Sequence, residues 1–332
     1  MSLPEPSDLP PAAAWLPGGH ALTIGSALVA GRTATPVRWR RQRLETPDGD
    51  FVDIDWAEPA DGQEANRVLV LFHGLEGSSR SHYARAQAHR TQQIGWTLAV
   101  PHFRGCSGEI NRAPRAYHSG DWAEIDWMLQ QVRHTVGEGA DLMAIGVSLG
   151  GNALLRWAAE TGSARSPVRA LAAVCAPLDL AASAAAISCG VGRWTYTPMF
   201  LRSMKPKALA KWAQFPGLFD RERLLAARTL QDFDDVFTAP LHGFTDAADY
   251  WRRCSAGPHL HRIRIPTLVL NPRDDPFVPQ QALPQQLASD RVRLWQPRRG
   301  GHVGFASGRF PGSIGALPQA LTDWLEKAGR HG

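Results

Sequence analysis

The stretch LMAIGVSLGGNALLRWAA, from Leu142 to Ala159, decides which fold the chain is expected to adopt. Its first six residues form an apolar run of strand length, and the residues from Asn152 onward have helical apolar spacing. Between them, GVSLG at 146–150 fits G-x-S-x-G, the strand–turn–helix pattern called the nucleophile elbow. Glycines there avoid Cβ collisions, so the hydroxyl of Ser148 would be held exposed. The alternative interpretation is a glycine-rich turn without chemistry.

Strands and helices are predicted to alternate along most of the chain. Apolar runs typical of buried strands lie at residues 67–72, 96–101, 170–176, 266–271 and 292–296. Amphipathic spacing predicts helices at residues 81–94, 121–136 and 314–327. In the helix at 121–136, Asp121 is predicted as N-cap, and the residues expected to face inward are Trp122, Ile125, Leu129 and Val132. This alternation predicts an α/β fold with a doubly wound, mostly parallel sheet.

The same patterns divide the chain into four predicted segments. Residues 1–36, rich in proline and alanine at their start, are expected to form an N-terminal arm. Residues 37–180 give the first part of the α/β core, which begins with a hairpin of strands at 37–45 and 51–56. Strand signals lapse at 181–262, which predicts a helical cap insertion. Residues 263–332 complete the core.

Composition limits the classes of function. The chain has 332 residues, a net charge of +5 and 44% hydrophobic residues, as is typical of a globular protein. The arginine-rich segment 38–43 lies in a predicted strand, so we expect a solvated face there and no nucleic-acid partner. The apolar run Ala21–Ala30 is too short to span a membrane, while peripheral membrane contact and the oligomeric state stay open.

The cysteines and the N-terminus bear on location. No C-x-x-C or zinc-like spacing connects Cys106, Cys175, Cys189 and Cys254. Free thiols are expected in a reducing compartment, and the N-terminus lacks the pattern of a signal peptide. We therefore expect a cytoplasmic protein without a metal site.

A serine nucleophile needs a base that an acid orients, and in this architecture the three follow in the order Ser, Asp or Glu, His. The loop 271–279, NPRDDPFVP, and the loop 300–305, GGHVGF, both follow predicted strands. They would therefore meet Ser148 at one edge of the sheet. His302 is the predicted base and Asp275 the predicted acid, because Asp-Pro-Phe-Val-Pro has the form of a tight turn. Asp274 is the alternative acid, otherwise a turn-capping carboxylate.

An attacked carbonyl also needs two donors for its developing oxyanion. The backbone N–H of Leu149, directly after the predicted nucleophile, is one candidate. The N–H of Leu75, in the loop after strand 67–72, is the other. His73 in that loop could be a metal ligand or a second base, but the lack of clustered carboxylates favours a histidine that shapes the loop.

Several motifs together make the chain similar to the YheT-like family of α/β-hydrolases, which includes ABHD1/ABHD3-type proteins and yeast ethanol acyltransferase/esterases. The motifs are HGLEG at 73–77, FRGCSG at 103–108, YHSG at 117–120, GVSLGGN at 146–152, DDPF at 274–277 and GGHVGF at 300–305. The resemblance runs from about Pro17 to Leu325 and implies the same trio, Ser148, Asp275 and His302. It also implies carboxylester hydrolysis, with acyl transfer to alcohols in some relatives.

Residues 18–24, GGHALTI, depart in part from the N-terminal motif of that family, N-P-H-L-Q-T-I. Three further residues match family motifs without an assigned reaction step, and we expect structural or substrate-shaping roles for Arg104, His118 and Asn152.

The sequence therefore predicts a serine carboxylesterase for hydrophobic short- to medium-chain esters, needing no metal or organic cofactor. An acyltransferase that passes the acyl group to an alcohol is one alternative, which product analysis with an added alcohol distinguishes. A non-catalytic binding protein of the same fold is another, which labelling by a fluorophosphonate probe distinguishes. A dinucleotide-dependent dehydrogenase is disfavoured, because GLEG at 74–77 is not G-x-G-x-x-G.

Overall fold

A computed structural model describes residues 3–33, 36–59, 66–162, 166–287 and 289–330. Eight strands form one sheet: β1 (Arg40–Glu45), β2 (Phe51–Ala57), β3 (Arg67–Phe72), β4 (Thr97–Pro101), β5 (Asp141–Val147), β6 (Ala170–Val174), β7 (Thr267–Leu270) and β8 (Val292–Trp295). Their order in the sheet is β1-β2-β4-β3-β5-β6-β7-β8. Strand β2 is antiparallel to β1 and β4, and the remaining pairs are parallel. The predicted fold class is confirmed.

Helices cover both faces of the sheet. The helices outside the 180–262 region are α1 (Gly18–Thr33), α2 (His82–Gln93), α3 (Trp122–Val136), α4 (Leu149–Thr161) and α12 (Ala316–Gly329). Strand β3 shows why its run is continuously apolar: Val68 and Val70 pack with α3 and α4, whereas Leu69 and Leu71 pack with α2 and α12. Because each strand side chain meets a helix on one face or the other, no polar face is needed.

The region 180–262 is helical and contains no strand. It holds α5 (Leu180–Ser188), α6 (Gly190–Trp194), α7 (Tyr196–Gln214), α8 (Arg221–Ala226), α9 (Leu230–Phe233), a π-helical turn (Asp234–Thr238), α10 (Ala239–Leu241), α11 (Ala247–Cys254) and a 3₁₀ turn (Gly257–Arg262). These helices carry apolar clusters of their own. They lie between β6 and β7 in the chain. The exact division into arm, core and cap stays a prediction.

Two features of the fold differ from the expectations. The predicted arm contains helix α1, which its proline- and alanine-rich start did not reveal. Trp122 was expected to face inward, but it is 42% exposed. Polar side chains occupy the inward side of the first turn of α3 instead. Asp121 accepts the backbone N–H of Glu124, and the carboxylate of Glu124 pairs with Arg104.

The arginine-rich strand β1 is neutralised by carboxylates. Arg41 forms a bidentate ion pair with Asp55, and Arg43 forms one with Asp53. These guanidinium groups are therefore used within the hairpin.

Candidate active site

The turn between β5 and α4 holds Ser148 in an unusual backbone conformation. Ser148 has φ 52° and ψ −120°, a region that residues with a Cβ rarely occupy. The neighbouring glycines allow it: a Cβ on Gly146 would lie 2.5 Å from the carbonyl oxygen of Gly150, and one on Gly150 would lie 2.5 Å from that of His73. The turn therefore brings strand, helix and the loop after β3 into direct backbone contact.

The structure brings the three side chains of the predicted trio together. The ring of His302 has Nε2 2.9 Å from Ser148 Oγ and Nδ1 2.9 Å from the nearer carboxylate oxygen of Asp275. Both Asp275 and His302 are buried. With a proton on Nδ1 directed at the carboxylate, Nε2 is left to accept the serine proton. This is the arrangement that a base-activated hydroxyl requires.

The two neighbouring aspartates have different partners. Asp275 contacts the imidazole and also accepts the backbone N–H of Phe277, at 2.8 Å. Asp274 instead accepts the N–H groups of Gly300 and Gly301, at 2.8 and 2.9 Å. The geometry thus favours Asp275 as the orienting acid and gives Asp274 the task of holding the loop that carries His302.

The loop after β3 lies against the elbow, where the predicted oxyanion donors would be needed. A Cβ on Gly74 would be 3.1 Å from the Cβ of Ser148. The N–H groups on either side of Leu75 are held by tyrosine hydroxyls, since Gly74 donates to Tyr83 and Glu76 to Tyr117, both at 2.9 Å. Leu75 and Leu149 line the same cavity as Ser148. Neither tyrosine could be linked to this loop from sequence spacing.

His73 shapes this loop. Its Nδ1 lies 2.8 Å from the carbonyl oxygen of Gly74, and its Nε2 accepts the N–H of Phe103 at 3.1 Å. Complete burial lowers the pKa of His73 to about 3, so the ring stays neutral and can accept that bond. The prediction that favoured a loop-shaping histidine over a metal ligand agrees with these contacts.

A pocket that opens to solvent adjoins the reacting groups. Its walls come from the sheet edge and from the helices of the 180–262 region. The helical wall is largely apolar and includes Ile187, Phe200, Met204, Leu230, Phe233 and Phe237. An apolar wall beside an activated hydroxyl suits a substrate with a hydrocarbon portion.

The residues that match family motifs outside the trio have structural partners. Arg104 is buried and pairs with Asp50 and Glu124. The side chain of Asn152 donates to the backbone of Ser119 and of Cys254, and it also accepts the N–H of Ala256 at 2.8 Å. It thereby fastens the end of α11 to the loop before α3. His118 lines the cavity and packs against the ring of His242, with centroids 4.4 Å apart.

Among the described residues, one group has the spacing of metal ligands: Cys175, Asp275 and His302, whose candidate ligand atoms lie within 4.8 Å of one another. The histidine and the carboxylate already bind each other. Burial raises the pKa of Cys175 well above its usual value, which disfavours the thiolate that a metal would need. The trio accounts for this cluster better than a metal does.

Comparison with known proteins places the chain. Residues 67–308 match the family model described as alpha/beta hydrolase fold. The chain belongs to the α/β-hydrolase family. Within this family it is 42% identical to the putative esterase YheT of Escherichia coli over 288 residues, which cover 86% of this chain and 84% of that protein. The predicted resemblance to the YheT-like family is therefore confirmed, and with it the prediction that the chain is a hydrolase.

More distant relatives and solved structures also match the chain. The chain is 27% identical to mouse phospholipase ABHD3 over 90% of this chain and 74% of that protein. Among solved structures, an esterase of Pyrococcus furiosus superposes with a TM-score of 0.53 at 13% identity, over 99% of this chain and 97% of that one. This likeness shows the fold. No helix in the described part of the chain is long and apolar enough to cross a membrane.

Proposed function

We propose that the chain is a serine carboxylesterase that cleaves hydrophobic short- to medium-chain esters through an acyl-enzyme on Ser148. The observation that carries the proposal is the chain of contacts from Ser148 Oγ through the ring of His302 to Asp275, each 2.9 Å long. The esterase and phospholipase names of the relatives support ester chemistry.

The proposed reaction has two halves. In the first, His302 takes the proton of Ser148 as Oγ attacks the ester carbonyl, and the N–H groups of Leu75 and Leu149 stabilise the oxyanion. His302 then protonates the leaving alcohol, and an acyl-serine ester remains. In the second half His302 deprotonates water, which attacks the acyl carbonyl, and the proton returns to Ser148 as the carboxylic acid leaves.

The preference for acyl length is inferred from the cavity. Phe200, Met204 and Phe233 give it an apolar wall next to Ser148. Each CH₂ removed from water contributes about 0.8 kcal/mol, so affinity should rise with acyl length until the cavity is filled. A series of p-nitrophenyl esters from two to sixteen carbons, assayed for kcat/KM, would show a maximum at the length that the cavity accepts.

The decisive experiment combines activity and labelling. Wild type should hydrolyse p-nitrophenyl butyrate and be labelled at Ser148 by a fluorophosphonate probe, whereas the Ser148→Ala variant should do neither. Retained hydrolysis in the variant would refute the assignment. A wild type that is neither labelled nor active would favour the binding-protein alternative. Formation of an ester when an alcohol is added would favour acyl transfer.

We also propose a cytoplasmic location with contact to membrane surfaces. The cysteines Cys106, Cys175, Cys189 and Cys254 are free, which suits a reducing compartment. Large apolar side chains are exposed on α1, α6 and α7, namely Ile24, Leu28, Val191, Trp194 and Met199. Cell fractionation tests the location, and flotation with vesicles of zwitterionic or anionic lipid tests the contact.

A further inference from the structure

The N-terminal arm forms hydrogen bonds with the loop that carries His302. The N–H of Ala13 donates to the carbonyl oxygen of Ala306 at 2.8 Å, and the guanidinium of Arg299 donates to that of Leu16 at 2.6 Å. The loop therefore has residues of the N-terminal arm along its outer side. None of these arm residues falls within 67–308, the part of the chain that matches the hydrolase family model.

The backbone of helix α1 lies directly against two loops, the loop 271–279 and the loop that carries His302. A Cβ on Gly19 would lie 1.7 Å from the carbonyl oxygen of Asp274, the residue before the proposed acid. A Cβ on Gly301 would lie 2.8 Å from the carbonyl oxygen of Gly19, and Gly301 has φ +59°. At these two glycines the helix therefore packs against both loops with no room for a side chain.

One side chain of α1 binds the backbone of the proposed base. The hydroxyl of Thr23 donates to the carbonyl oxygen of Gly19 at 2.7 Å and accepts the N–H of His302 at 2.8 Å. Since its proton is committed to Gly19, its lone pairs are directed to His302. We propose that Thr23 is a positioning residue for His302, so that the active site is incomplete without helix α1.

A second residue of the same helix, His20, is connected to the imidazole of His302 through two aromatic side chains. His20 Nδ1 lies 3.0 Å from the hydroxyl of Tyr196. The ring of Tyr196 packs edge-on against Phe277, and Phe277 stacks on His302 with ring centroids 4.1 Å apart. The ring of His302 is thereby held from its face, while Thr23 holds its backbone. Two separate residues of α1 thus act on the same base.

The inference rests on the proposed role of His302, and its test uses the whole 332-residue chain. Thr23→Val keeps the size and branching of the side chain but removes the acceptor, so the N–H of His302 loses its partner. A misplacement of about 1 Å can cost on the order of 10²-fold in rate. We expect Thr23→Val to lower kcat for p-nitrophenyl butyrate by about 10- to 100-fold, with KM within about twofold.

Two further variants separate positioning from general damage to the helix. Thr23→Ser keeps the hydroxyl and should recover kcat to within about threefold of wild type. Ser26→Ala removes a buried hydroxyl of α1 that has no partner among the described residues, and it should leave kcat unchanged. Thermal unfolding checks that each variant is folded. Should Thr23→Val not fold, Thr23→Ala provides the same comparison with Thr23→Ser.

The rate of labelling by the fluorophosphonate probe distinguishes this inference from the proposed function. If wild type is labelled at Ser148 but Thr23→Val reacts within twofold of its rate, the inference about Thr23 is overturned and the function stands. An equal loss in Thr23→Ser and Thr23→Val would also overturn it. If wild type is not labelled at all, the proposed function itself fails.

Discussion

The turn that carries Ser148 and the loop that carries His302 both contain strained backbone, but different parts of the chain stabilise them. Ser148 has φ 52°, while Val303 and Phe305 have φ 54° and 50°. The elbow is allowed by the glycines beside it in sequence. The histidine loop is held by residues remote in sequence: Thr23, His82, Cys175 and Asp274.

This difference decides what each loop reveals in the sequence. A turn that depends on its own glycines leaves a short, recognisable pattern, because each close approach excludes a Cβ at a fixed spacing. For a loop supported from a distance, the local pattern does not reveal the supporting residues, since these are set by the path of the folded chain. We therefore expect changes at remote positions to impair the histidine loop and changes at adjacent glycines to impair the elbow.

The largest effect is expected for the two aspartates of the loop 271–279. Asp275→Asn should lower kcat by about 10³- to 10⁴-fold, because an amide facing His302 Nδ1 no longer orients and stabilises the charged ring. Asp274→Asn keeps an oxygen for the N–H groups of Gly300 and Gly301 and should stay within about threefold. Steady-state kinetics check both variants. The reverse ranking would make Asp274 the acid and contradict the geometry.

On the elbow side, Gly150→Ala should be the most damaging change to stability. Its Cβ would lie 2.5 Å from the carbonyl oxygen of His73, a backbone atom that cannot move aside cheaply. We expect a loss of about 3 kcal/mol in the free energy of unfolding, measured with urea. Gly139→Ala, where a Cβ meets nothing within 4 Å, is the matched control. Equal stability of the two variants would show that the elbow is not tightly packed.

The stability of the protein should depend on pH through the loop that packs on the elbow, because this loop requires His73 to be neutral. The folded-state pKa of His73, about 3, lies below the usual 6.5, so its stabilising contribution is present above pH 6.5 and is lost as the pH falls. From pH 7 to pH 5 this loss is about 2 kcal/mol. Urea unfolding at both pH values should show a correspondingly smaller change in His73→Gln. Equal pH dependence would mean that folding does not lower the pKa of His73.

The smallest effect tests a remote support of the histidine loop. Cys175 Sγ accepts the N–H of Val303 at 3.2 Å. Cys175→Ala removes this acceptor and a buried atom, so we expect about 1 kcal/mol of lost stability and a few-fold lower kcat. Cys189→Ala, at an exposed cysteine, should change neither. A Cys175→Ala enzyme that matches wild type would show that the loop does not need this contact.

The sequence by itself was sufficient for the elements of the core and for proposing three candidate site residues in chain order. Runs such as 67–72 could be assigned because a strand buried on both faces has to be continuously apolar, and β3 spans those residues. The G-x-S-x-G pattern located the elbow, and the loops after β7 and β8 supplied Asp275 and His302. These features depend on periodicity and on glycine, which act within a few residues.

Only the tertiary structure decided which groups touch. It assigned the contact with His302 to Asp275 instead of Asp274, turned Trp122 outward, and placed Thr23 beside a histidine 279 residues away. Local sequence does not record such pairings, because hydrogen bonds and packing depend on distance in space and on competing polar partners. Their positions are fixed only when helix α1, the sheet and the helical cap pack together.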